Sequence, residues 1–338
     1  MRFATAPVGA ASAMLLVGTS TAVSATIAGY PIFTGQALRY ALAAAILLAV
    51  VGHRRLPRVR LTARDILLLI ALAATGLAGF NLFLVEATRH AGPAMIGTVV
   101  GAVPLVLALA GPLIERRRPA ARTVGAALVV ALVAAVAAGL GSGSLKGLLL
   151  SLGALAGEVA FSLLAVPLLP KLGPLRVAAY PAALSVPMLL AAGLVLEGTA
   201  SLRLPTLGEA AAFGYLGAIV TAAAFFLWYD ALRRLGPDRA GLFAGLVPVG
   251  ALLTTLALGL GQAGPADVAG ALLVAAGVAL GQRRPGRDAA ARQRQDTRRQ
   301  DTRRQDTRRQ DTRPQDTRPQ DTRHRDTPAA FASHQPIG

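Results

Sequence analysis

Two side chains in this sequence carry charge in almost wholly apolar surroundings: Arg39, within PIFTGQALRYALAAAILL, and Glu158, within LLLSLGALAGEVAFSLL. A charge at the centre of a membrane span costs about 2.5–3.5 kcal/mol on insertion scales, so each should face a partner, a cavity or both. Arg39 can attract an anionic or carboxylate-bearing solute, pair structurally, or extend its charge towards the interface. Glu158 can carry a coupling proton, because an apolar medium favours a neutral acid, or can sit as a hydrogen-bonded acid in a helix contact. The two could also serve as mutual counter-ions. Gln36, Asn81 and Tyr30 on one side of the chain's apolar segments could line a pathway, as could Trp228 and Tyr229 on the other, where aromatic residues also serve as interface anchors. Glu86 and Asp230 each stand three residues before an arginine, Arg89 or Arg233, so structural pairing at a helix end competes with a functional role. Cysteine is absent, which excludes disulfides, thiolate metal sites and cysteine nucleophiles. With four histidines (His53, His90, His324 and His334) and no His-Asp or Ser-His arrangement in the apolar segments, an intramembrane enzyme lacks a nucleophile and base. No metal or cofactor is expected.

These residues must be positioned by membrane helices. Apolar residues make up 54% of the chain and mean hydropathy is +0.54. Ten apolar stretches are long enough to cross a hydrocarbon core, at approximately 8–28, 32–51, 66–86, 93–114, 122–140, 147–166, 175–196, 209–230, 238–260 and 265–282. A signal peptide is the competing reading of the first, but its removal would unbalance the set.

The balance matters because one pattern occurs twice, 144 residues apart. GPAMIGTVVGAVP (92–104) returns as GPDRAGLFAGLVP (236–248), repeating Gly92, Pro93, Gly97, Gly101, Val103 and Pro104 as Gly236, Pro237, Gly241, Gly245, Val247 and Pro248. Self-similarity at a fixed period marks one unit built twice. The sequence predicts an all-α integral membrane protein of two five-helix repeats, 1–140 and 147–282, joined by a linker at 141–146. Gly97/Gly101 and Gly241/Gly245 place small residues one turn apart for close helix approach, and Pro104 and Pro248 should kink their helices. Spans 4 and 9 are therefore the expected moving walls of a central cavity.

Arginine placement predicts the orientation. Arg54, Arg55, Arg58, Arg60 and Arg64 lie between spans 2 and 3, Arg116, Arg117, Arg118 and Arg122 between spans 4 and 5, and Arg233, Arg234 and Arg239 after span 8. The positive-inside rule makes these loops cytoplasmic, with both termini. Five spans per repeat then require the copies to insert upside down relative to each other, the arrangement behind alternating access. The formal charge of +17 is a poor guide to partners, because residues 283–338 hold 15 arginines and 8 aspartates in a QDTRR/QDTRP repeat. That low-complexity tail should be disordered, and its regular aspartates dilute the field that nucleic acid binding needs, so nucleic acid is not an expected partner.

The first repeat reads PIFTGQALRYALAAAILL, then FNLFLVEATRHAGPAMIGTVVGAVPL with Glu115 after the fourth span; the second reads FFLWYDALRRLGPDRAGLFAGLVPV, then GALLVAAGVAL. Over about residues 8–282 this resembles the EamA-type transporters of the drug/metabolite transporter superfamily. Gly259, Gly261 and Gln262 stand where such proteins often carry Glu after the ninth span. The resemblance implies movement of small metabolites, amino-acid-like or drug-like, across the cytoplasmic membrane without bound cofactors. The expected function is a secondary exporter in the lipid bilayer, with proton coupling and a homodimer as further expectations; an intramembrane enzyme acting on lipid-linked substrates, and a non-transporting scaffold using the tail as a docking arm, are the alternatives outside transport.

Overall fold

The structure, a computed structural model, describes residues 5–114 and 144–259, with scattered positions between 116 and 129. Most of span 5, with span 10 and the repetitive tail, lies outside the described residues. Among the described residues the chain is all helical, and eight helices are long and apolar enough to cross a membrane. Large apolar side chains such as Leu67, Leu113 and Val195 stay exposed on them, as lipid-facing residues do.

From α3 onward the elements begin at the same 144-residue offset as the motif. Helix α1 spans Thr5–Ala25 and α2 spans Ile32–His53. The next crossing is built of three pieces: α3 (Ala63–Ala71), a π-helical segment (Leu72–Gly79) and α4 (Phe80–Thr88). Short α5 (Pro93–Val100) then leads into α6 (Val103–Ile114). In the second half α7 spans Leu145–Leu163 and α8 Leu169–Leu196, with a break at Gly173, whose φ of 73° suits glycine. Helix α9 (Leu207–Tyr215), a second π segment (Leu216–Ala223) and α10 (Ala224–Leu235) repeat the three-piece crossing. After them come α11 (Pro237–Gly241), a 3-10 turn (Leu242–Leu246) and α12 (Val247–Ala257).

Local chemistry explains the matching boundaries. Thr62 and Thr206 cap α3 and α9, and each forms a reciprocal capping box with the acid three residues on, Asp65 or Glu209. Pro93 and Pro237 open α5 and α11, where their missing N–H costs nothing. Pro104 and Pro248 occupy the second position of α6 and α12. They therefore sit just past a break in the helix rather than at a mid-helix kink, because a proline is tolerated in the first turn. Helix α7 begins at Leu145, inside the segment expected as linker, because the Ser144 side chain accepts from the Gly147 N–H.

Packing between the halves also comes in matched pairs. Helix α4 packs on α7 as α10 packs on α1, and the first π segment packs on α8 as the second packs on α2, while α2 and α8 pack on each other. Glycine permits the closest approaches. A Cβ at Gly18 would stand 2.1 Å from the Val247 carbonyl oxygen, and one at Gly250 would stand 2.2 Å from that of Leu15, so α1 and α12 cross backbone to backbone. Gly153 and Gly157 similarly seat α7 against Phe83, Phe80 and the Thr75 carbonyl, which brings the next residue, Glu158, to the first π segment.

Candidate functional site

Polar side chains gather where the two π segments meet α2 and α7. Within the first segment the Thr75 hydroxyl donates to the Ala71 carbonyl at 2.7 Å. Just beyond it, Asn81 Nδ2 donates to the Leu77 carbonyl at 2.7 Å and to the Tyr40 hydroxyl at 3.3 Å. In the second segment the Thr221 hydroxyl donates to the Leu216 carbonyl at 2.9 Å and accepts from Arg39 Nε at 2.6 Å. Side chains that take up helix carbonyls stabilise such bulges, and π segments in membrane helices concentrate at functional sites.

Arg39 thus lies between Thr221 and Gln36, whose Oε1 is 3.5 Å from Nη1, with the guanidinium 5.6 Å from the centre of the Tyr40 ring. No ion pair joins it to Glu158 among the described residues, and Tyr40 lies within electrostatic reach of both charges. Glu158 is half-buried, close to Tyr40 and Tyr229, and has no ion-pair partner among the described residues. Their charges are therefore accommodated separately, not as mutual counter-ions. Around them Phe161 packs 4.7 Å from Phe225 and 5.0 Å from Tyr229, ring centre to ring centre. Tyr229 is fully buried and donates to the Phe161 carbonyl at 3.2 Å, and Trp228 is buried beside it with its indole N–H unpartnered among the described residues. Both aromatic residues sit inside the protein, where no lipid interface reaches them.

A cleft of about 350 Å³ opens beside Arg39. Its rim is formed by the α1–α2 turn, and Ser24, Gln36, Phe213 and Leu216 line it down to the guanidinium. Tyr30 is fixed at this rim by three contacts. Its hydroxyl donates to the Arg203 carbonyl at 2.6 Å, the Arg203 guanidinium lies 4.3 Å over its ring, and Phe213 meets it edge-on at 5.0 Å. Burial pushes the Tyr30 phenol above its ordinary value, opposed by the nearby Arg203 charge. Arg203 is itself held above its usual range by its hydrogen bonds to Glu209.

Behind the same rim, Glu197 Oε1 accepts from the Ile32 N–H at 2.7 Å and the Phe33 N–H at 3.3 Å, capping α2 from the other half of the chain. Its Oε2 and the Thr34 hydroxyl are buried without partners among the described residues. At the opposite end of the helices Lys171 pairs with Asp65, and Arg176 donates to the Pro57 carbonyl.

The remaining sequence candidates lie apart from this centre. Glu86 is 3.4 Å from Arg89, 3.2 Å from His90 and 3.6 Å from Lys146, and Asp230 is 2.8 Å from Arg233 and 2.7 Å from Arg234, so both acids are engaged at helix ends. The twin glycine motifs take different conformations. In the first copy Gly97 is exposed within α5, and Gly101 is half-buried at its end. In the second, Gly241 ends the five-residue α11 and Gly245 lies in the 3-10 turn, both buried. A Cβ at Gly241 would stand 2.8 Å from Leu107 Cβ, and Gly236 has a φ of 83° where Gly92 has −70°. Thr221, Tyr40 and Glu197 escaped the sequence reading. Thr221 could have been found as a polar side chain deep in a span, whereas nothing local marks Tyr40 or Glu197.

Comparison with known proteins gives a consistent picture. Residues 145–281 match the model of the EamA-like transporter family. The chain is 25% identical over 254 residues to "Uncharacterized transporter YetK" of Bacillus subtilis (strain 168), an alignment covering 73% of this chain and 77% of that protein. A solved crystal structure superposes with a TM-score of 0.72, covering 82% of this chain and 96% of the other; at 20% identity that likeness is one of fold.

Proposed function

We propose, from the premise that this chain is an EamA-type membrane transporter of the drug/metabolite transporter superfamily, that it exports small metabolites by alternating access. Ten helices form two inverted five-helix repeats in the cytoplasmic membrane, both termini are cytoplasmic, and the cleft beside Arg39 opens outward. Glu158 carries the coupling proton at the centre. The observation that carries this reading is the unequal state of the twin motif. The same glycine-proline sequence is an α-helix with an exposed Gly97 in one repeat and a short helix plus 3-10 turn pressed on Leu107 in the other. Inverted repeats alternate by exchanging the conformations of their two halves, so unequal copies of one motif are what a single access state requires. The Lys171–Asp65 pair and the Arg176 contact to Pro57 hold the cytoplasmic end shut while the outer cleft is open.

The test is a metabolite profile of cells with and without the protein, followed by flux in proteoliposomes under imposed pH and voltage gradients. A solute depleted from cells by the protein and moved by it in liposomes is expected; a profile that does not change and liposomes that move nothing would reject the reading.

A further inference from the structure

The outer cleft has one charge at its foot and, among the described residues, none of the opposite sign along its lining. We infer that it selects a monoanionic solute with an apolar body, a carboxylate borne on a single ring or branched chain, and disfavours zwitterions and cations. This deepens the transport reading and rests on it in taking the cleft as the substrate's.

A guanidinium has five N–H donors. Thr221 takes the Nε–H and Gln36 lies at the edge of bonding distance from Nη1, so the rest of the fork has no partner among the described residues. Arg39 lines the cleft, and a planar fork with free donors suits a carboxylate. Its depth is set by the helix: Arg39 follows Ile32, at the rim, by seven residues, or about 10 Å along α2.

An ammonium group would have no acid to meet. Among the described residues no Asp or Glu lines the cleft. The two acids nearest its rim are already engaged: Glu197 Oε1 on the first N–H groups of α2, with Oε2 buried away from solvent, and Glu209 on Arg203 and the Thr206 N–H. The Arg203 charge over Tyr30 adds positive potential at the mouth. Ile27, Ile32, Phe213 and Leu216 give the walls an apolar character, and the volume is at the small end for ligand sites. An amino acid would bring its ammonium into this field unpaired, which narrows the amino-acid-like expectation to acids that lack the amine.

The test uses the full-length protein in detergent and four solutes that share one ring: phenylacetate, phenylacetamide, phenethylamine and phenylalanine. Calorimetric titration should find phenylacetate bound on the order of tenfold to a hundredfold more tightly than the others, the range expected for a charged hydrogen-bond partner. Arg39→Gln should lower phenylacetate to the level of the amide and leave the amide unchanged. Gln36→Glu keeps Arg39 but places an acid beside it, and should abolish the same preference in a chain whose half-buried arginine stays paired. Equal binding of phenylalanine or phenethylamine, binding of none of the four at millimolar concentration, or a preference that survives in Gln36→Glu overturns the inference. Flux of phenylacetate in proteoliposomes separates the two claims. Selective binding without flux rejects transport and keeps the site, whereas flux indifferent to solute charge rejects the site and keeps transport.

Discussion

Replacing Gly241 by leucine should push the protein out of the described state, and replacing Gly97 by leucine should hold it there. At Gly241 even a Cβ would stand 2.8 Å from Leu107 Cβ and 2.9 Å from its Cδ1, so the longer side chain must drive α11 away from α6. Overpacking of this kind costs about 1–3 kcal/mol, and in an equilibrium between two access states that shifts the ratio about 5–150-fold. Gly97 is exposed, so leucine there is expected to be accommodated within this state. Its cost falls on the alternative state, in which Gly97 takes the packed role. The chain has no cysteine, so a single Ser24→Cys in the cleft reports opening through its rate of reaction with an impermeant maleimide. Labelling should slow in the Gly241→Leu background by a factor within that range, and should be unchanged or faster with Gly97→Leu, with protein levels near normal in both. Equal slowing by both substitutions would refute the exchange of roles, as would normal labelling in Gly241→Leu.

Gly250→Ala should lower the melting temperature in detergent, because its Cβ meets the Leu15 carbonyl at 2.2 Å and no rotamer relieves a backbone clash, while Gly208→Ala, with nothing within 4 Å, should not; equal melting of the two would contradict the α1–α12 crossing. Cysteine at Thr199 should react with an impermeant reagent applied outside intact cells and cysteine at Thr62 should not, and the reverse pattern would invert the orientation. Glu158→Gln should abolish flux driven by a pH gradient yet permit solute exchange, which needs no net proton movement, and wild-type behaviour in both modes would remove Glu158 from the coupling path.

The matched helix junctions were legible because glycine and proline mark backbone positions that few other residues can occupy. Gly92-Pro93 and Gly236-Pro237 stand at the same junction in both halves, and the paired caps Thr62/Asp65 and Thr206/Glu209 obey the same offset. Arg39 and Glu158 stood out as charges in apolar surroundings, but their partners did not. Thr221 reaches Arg39 across 182 residues, and no local pattern encodes a contact of that separation. The π segments were hidden for a related reason: Leu72–Gly79 and Leu216–Ala223 read as ordinary apolar helix, and the bulge is held by hydroxyl groups captured on carbonyls. Trp228 and Tyr229 resembled an interface belt because Asp230 and Arg233 follow them, yet α10 turns that face inward against Phe161.

Counterflow tests the central claim most directly. Proteoliposomes loaded with an excess of the unlabelled solute found by metabolite profiling are diluted into a trace of the same solute carrying label. A carrier whose site opens to one side at a time returns occupied, so labelled solute should accumulate transiently above its equilibrium level and then decline. A rise to equilibrium without overshoot, or no entry of label at all, would contradict alternating access.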